Sequence, residues 1–93
     1  MEEILEKLTD YTFALKDSLD VTSEANERSL LARHLAVAAE IYALLHKHQN
    51  VSAIESIVKT EIRGHGWSFI SGDAGTKVAN TWMTFTNASG IKY

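Results

Sequence analysis

Leu35-Ala36-Val37-Ala38-Ala39-Glu40-Ile41-Tyr42-Ala43-Leu44-Leu45 is the stretch that decides the fold. Every residue in it except Glu40 is apolar. A helix that is apolar on all sides must be covered on all sides. Its alanines at 36, 38, 39 and 43 let neighbouring backbones come close. The helix that contains it is predicted from Glu24 to His48, about 38 Å at about 1.5 Å per residue. His46-Lys47-His48 in the last turn suits the negative end of the helix dipole. The expectation is a long central helix with its middle deep in the molecule.

Upstream, Asp20-Val21-Thr22-Ser23 reads as a joint, with Thr22 or Ser23 capping the central helix. So short a joint makes its two helices antiparallel neighbours. The first helix is predicted from Glu2 to Leu19. Ile4, Leu8, Tyr11, Leu15 and Leu19 fall on one face at helical spacing, and Leu5 widens it. Glu2, Glu3 and Glu6 sit near the positive end of its dipole.

Downstream, a shorter helix is predicted from Ser52 to Arg63. Ser52 and Glu55 have capping-box spacing, and Asn50 is a competing cap. Ile54, Ile57, Val58 and Ile62 share a face, and Gly64 stops the helix just beyond its end. Residues 64–76 hold four of the chain's five glycines and read as a loop. Trp67, Phe69 and Ile70 should fold that loop back onto the core. Thr76 to Ala88 reads as a fourth helix ended by Gly90, with Asp73 or Thr76 as its cap. The threonines and asparagines at 80, 81, 84, 86 and 87 weaken that reading. A short β-hairpin between residues 67–70 and the last segment is the alternative. The tail Ile91-Lys92-Tyr93 is expected to fray.

The fold class expected is thus all-α or mostly α: one domain over 1–93, three or four helices around the second, and a Gly-rich loop. The size suits one domain with one modest core, since folding at this mass hides about 64% of the unfolded chain's surface. With no proline, nothing kinks the helices. With no cysteine, disulfides, thiolate metal sites and cysteine nucleophiles are excluded. Acids stand where a signal peptide needs bases before an apolar run, and the longest apolar stretch is about half a membrane span. A cytoplasmic protein without a membrane segment is the expectation. The net charge of −3 is unevenly divided: residues 1–27 carry −6 and residues 28–93 carry +3. The division fits an acidic first helix or a one-sided partner surface.

No catalytic set stands out. His46 and His48 are two apart, so on a helix they diverge by about 200° and cannot chelate one ion. No HExxH or Glu-x-x-His pair is present, and neither a metal nor a cofactor is expected. Gly72-Asp73-Ala74-Gly75-Thr76-Lys77 faintly resembles a phosphate cradle, but the order is Gly-Thr-Lys and Asp73 adds a negative charge. His65, Ser68, Ser71 and Asp73 are triad residue types crowded onto one loop, whereas triads are held by separate rigid elements. Glu40 reads as a charge on a narrow wet stripe with Arg33 and Lys47. Three functional readings follow. The first is a non-enzymatic binding or regulatory protein that acts through helix surfaces. Three modest helices cannot cover the central one, so a homodimer is expected through Leu31, Leu35, Ala38, Tyr42 and Leu45. The second is a winged-helix nucleic-acid binder using Lys59 and Arg63, which needs the hairpin over 67–85. Glu55 and Glu61 cancel those charges, against the basic surplus that phosphate binding needs. The third is a small-ligand or anion binder, or an enzyme, built on the 64–77 loop with His65, Asp73, Thr76 and Lys77.

Overall fold

A computed structural model describes residues 1–64 and 72–91, with the side chains of 62–64 and 72 left aside. Among the described residues four α-helices follow one another: α1 (Glu2–Val21), α2 (Ala25–His48), α3 (Glu55–Gly64) and α4 (Gly72–Ser89). A single 3₁₀ turn, Val51–Ala53, precedes α3. The chain is all-α, and no strand occurs among the described residues. The hairpin is therefore not formed: residues 72–89, which it needed as strand, are helix. The loop-back of Trp67, Phe69 and Ile70 lies outside the described residues.

α4 forms although threonine is a weak helix former. Three of its four threonine hydroxyls bond back to a carbonyl of the preceding turn. Thr81 Oγ1 donates to Lys77 O at 2.8 Å, Thr84 Oγ1 to Asn80 O at 2.9 Å and Thr86 Oγ1 to Met83 O at 3.0 Å. Such back-bonding satisfies the hydroxyl but adds no helix stability of its own. Apolar burial supplies it, since Val78, Trp82, Phe85 and Ile91 are all buried. The tail expectation is corrected at Ile91, which packs on the core. Gly90, at φ +73°, ends α4 in the left-handed conformation that glycine adopts without strain.

Other helix ends depart from expectation for visible reasons. Glu24 is the N-cap of α2, in place of Thr22 or Ser23. Its carboxylate accepts from Glu27 N–H at 2.7 Å. Arg28 closes the α1–α2 joint, its Nη1 donating to Leu19 O at 2.7 Å and Thr22 O at 2.8 Å. A cation thus meets the carbonyl end of α1. Asn50 supplies the cap before α3, accepting from Ser52 N–H at 2.9 Å, so the Ser52–Glu55 box is not the one used. Gly64 is the last residue of α3 instead of the first beyond it, and α4 begins four residues before Thr76.

Packing also corrects the hierarchy. α1 lies along both α4 and α2. Leu8, Tyr11, Ala14, Leu15 and Ser18 form its buried face. The ring centroids of Tyr11 and Trp82 are 4.9 Å apart, and those of Trp82 and Phe85 are 5.4 Å apart, in the tilted geometry aromatic pairs favour. The long helix is not covered all round. α2 buries Leu31, His34, Ala38, Ile41 and Leu45, but Ala32, Ala36, Ala39 and Ala43 are exposed on its other side. Alanine tolerates water at little cost and is the best helix former, so an apolar run need not be a buried one.

Phe85 is fully buried and Met83, two residues before it, is 55% exposed. Phe85→Ala should cost about 3–5 kcal/mol and Met83→Ala less than about 1 kcal/mol in urea unfolding. Equal losses would show that α4 presents a different face to α1.

Candidate functional site

Two places on this fold bring chemically notable side chains together, one buried and one open. The buried one joins three helices. His34 of α2 and Glu61 of α3 meet at 2.6 Å, His34 Nδ1 to Glu61 Oε1. Their exposures are 1% and 5%. Burial, and then the Glu61 carboxylate nearby, push the Tyr11 phenol of α1 well above its ordinary value near 10. A carboxylate on Nδ1 is how a catalytic imidazole is oriented. A catalytic base must also reach its substrate, and His34 is shut away from solvent. The arrangement instead ties α2 to α3 beside α1. Sequence reasoning missed it because His34 and Glu61 are 27 positions apart. The available signal was a histidine inside an apolar run.

The open place is a groove of about 360 Å³ between α1 and α2. Thr9, Thr12 and Phe13 come from α1, and Ala38, Ala39 and Tyr42 from α2. Phe13 is 58% exposed and Tyr42 45%. The threonines spend their hydroxyls on their own helix, Thr9 on Leu5 O and Thr12 on Leu8 O, both at 2.9 Å. Tyr42 stacks parallel to His46 one turn on, with centroids 6.2 Å apart. The walls are thus aromatic and methyl surface with few unspent polar groups. A smaller recess of about 230 Å³ lies between α2 and α3, edged by Arg33, Val37, Glu40, Ile57 and Glu61.

The five residues expected at an interface divide. Leu31, Ala38 and Leu45 are fully buried in this chain's own core, so they are not available to a second copy. Leu35 is half-buried against that core and Tyr42 is exposed. Phe13 lies off the Ile4–Leu8–Tyr11–Leu15 stripe and carries no expectation from the sequence.

The caps expected for the fourth helix are corrected. Asp73, Thr76 and Lys77 lie within the first two turns of α4. Neither Asp73 nor Thr76 caps that helix, since both lie inside it. Lys77 Nζ is 3.7 Å from Asp17 Oδ2 of α1, at the surface. His65 lies outside the described residues. Of the two bases assigned to nucleic acid, Lys59 pairs with Glu55 at 2.9 Å, one turn away. The Arg63 side chain lies outside those described. Glu40 stands exposed with Arg33 and Lys47, as its wet-stripe reading expects. No three histidine, aspartate or glutamate side chains gather as metal ligands among the described residues, and no described helix is long and apolar enough to cross a membrane. No protein-family model, curated protein or solved structure matches the chain.

Two measurements probe the buried cluster. Glu61→Ala should cost about 3–5 kcal/mol, and the double variant His34→Leu/Glu61→Leu clearly less than the sum of its singles, because breaking a buried pair costs more than removing it whole. Additive losses would mean the two side chains do not act as a pair. The raised Tyr11 ionisation means that the folded state holds that proton more tightly than the unfolded state. Its contribution to stability is complete below pH about 10 and is lost as pH rises above it. The thermal midpoint should therefore fall above pH about 10, and Tyr11→Phe should flatten that fall. An unchanged alkaline slope in Tyr11→Phe would count against the effect.

Proposed function

We propose that this chain is a non-enzymatic helical binding protein that acts through its helix surfaces and works as a homodimer. The observation that supports this most is the groove between α1 and α2, where Phe13 and Tyr42 stand exposed on facing walls. Large aromatics held on rigid helices are the residue types that anchor protein interfaces. Exposed apolar surface gathered in one place marks an interaction site, whereas scattered apolar residues do not. The buried location of His34 and Glu61 favours binding over catalysis. A winged helix has no wing when residues 72–89 are helical.

Light scattering over a concentration series tests this reading. The expected result is a dimer that dissociates on dilution. Tyr42→Ala and Phe13→Ala should each weaken it about tenfold or more, as loss of an interface aromatic anchor does. Val21→Ala, at a 75% exposed position at the end of α1, should leave it unchanged. A monomer at every concentration would overturn the homodimer.

A further inference from the structure

Resting on the homodimer reading above, we infer that the second copy docks with its α2 antiparallel to the first α2, across the exposed face between Tyr42 and Arg33. Two observations single out this occupant and orientation. The first is the shape of the face. Ala32, Ala36, Ala39 and Ala43 are exposed at spacings of four, three and four, the spacing that keeps residues on one side of a helix against a partner helix. They border the Phe13–Tyr42 groove through Ala39, so the aromatic walls and the small-residue strip form one surface. Methyl side chains let two helix axes come within about 8 Å, the near end of the range for packed helices.

The second observation is charge. Arg33 and Glu40 lie seven residues apart along one edge of this face, both exposed, and neither has an ion pair among the described residues. A parallel two-fold would set the Arg33–Glu40 edge beside the Leu35–Tyr42 edge of the partner subunit and leave both charges without an opposite. A two-fold that places Ala36 of one copy beside Ala39 of the other sets Arg33 about half a turn from Glu40 of the partner subunit. The same operation makes the pair twice. On the opposite edge it sets Tyr42 beside Leu35 of the partner subunit, so the two accessible members of the predicted interface meet each other. Phe13, on the flank of the groove, then closes over the partner helix. The surface is thus complementary in charge to itself, and only in the antiparallel sense.

A charge-reversal experiment on the full chain tests the orientation. Arg33→Glu puts two acids on the edge of each copy, and Glu40→Arg puts two bases there. Each variant alone should self-associate about tenfold more weakly than the natural chain, two attractive pairs having become two repulsive ones. An equimolar mixture should recover association, and so should the double variant Arg33→Glu/Glu40→Arg. Both sites are exposed, and unchanged helical circular dichroism verifies that the variants fold. A dimer indifferent to both reversals, yet broken by Tyr42→Ala, would overturn the antiparallel α2 pairing and leave the homodimer standing. A natural chain that is monomeric throughout would overturn both.

Discussion

The two-sided burial of α1 is the constraint on which the rest of the structure depends. Its one apolar face serves α4 and α2 together, with Leu8, Tyr11, Ala14, Leu15 and Ser18 all shut from water. One helix face against two neighbours leaves little freedom of register. Tyr11 shows why. Its ring must meet Trp82 of α4 while its hydroxyl end lies near Glu61 of α3. Rotating α1 by one residue would turn each of these contacts by about 100° and lose both. The long α2 sets a different quantity, the length of the molecule. Its 24 residues span about 36 Å, which matches the longest dimension of 36 Å.

Polar groups inside this frame act as selectors more than as sources of stability. A buried ion pair recovers in attraction roughly what it spends in desolvation. His34 and Glu61 therefore add little net stability, but they penalise any packing that parts them. That matters for α3, which is short at 10 residues and joined to α2 through one 3₁₀ turn. Apolar contacts through Ile54 and Val58 would tolerate sliding, whereas a buried 2.6 Å hydrogen bond does not. Ser18, buried with no hydrogen-bond partner among the described residues, is a smaller cost borne on the same packed face.

The helices were legible in the sequence wherever burial and spacing agreed. Leu8, Tyr11 and Leu15 in α1 and Ile54 and Val58 in α3 fall on the faces their spacing predicts. Composition misled in one place. The apolar run at 35–45 suggested a helix sunk in a core, but alanine scores as apolar while being content in water. Half of that run's circumference is open. The Thr- and Asn-rich stretch at 80–87 weakened the helix reading of 76–88, which the burial of Val78, Trp82 and Phe85 bears out. Helix ends were hardest to read. Glu24 and Arg28 do their work through side-chain reach to Glu27 N–H and to the carbonyls of Leu19 and Thr22, which spacing does not encode. The His34–Glu61 tie and the Phe13–Tyr42 groove depend on which helices become neighbours, so they become visible only with the tertiary fold.

The outer face of α2 is best understood through what its alanines avoid. A strip of leucines there would bury more apolar area, at about 25 cal/mol per Å², but it would attract any apolar surface it met. Alanine removes most of that indiscriminate attraction while keeping full helix propensity. Recognition then falls to features that discriminate. The two aromatics demand a shaped counterpart, and the Arg33–Glu40 edge demands an opposite sequence of charges. Specificity is a difference between partners, and like charges brought together by a wrong register supply that difference. A surface weak in general attraction and strict in charge order suits self-recognition by a small domain, because the second copy carries the required charge order by symmetry.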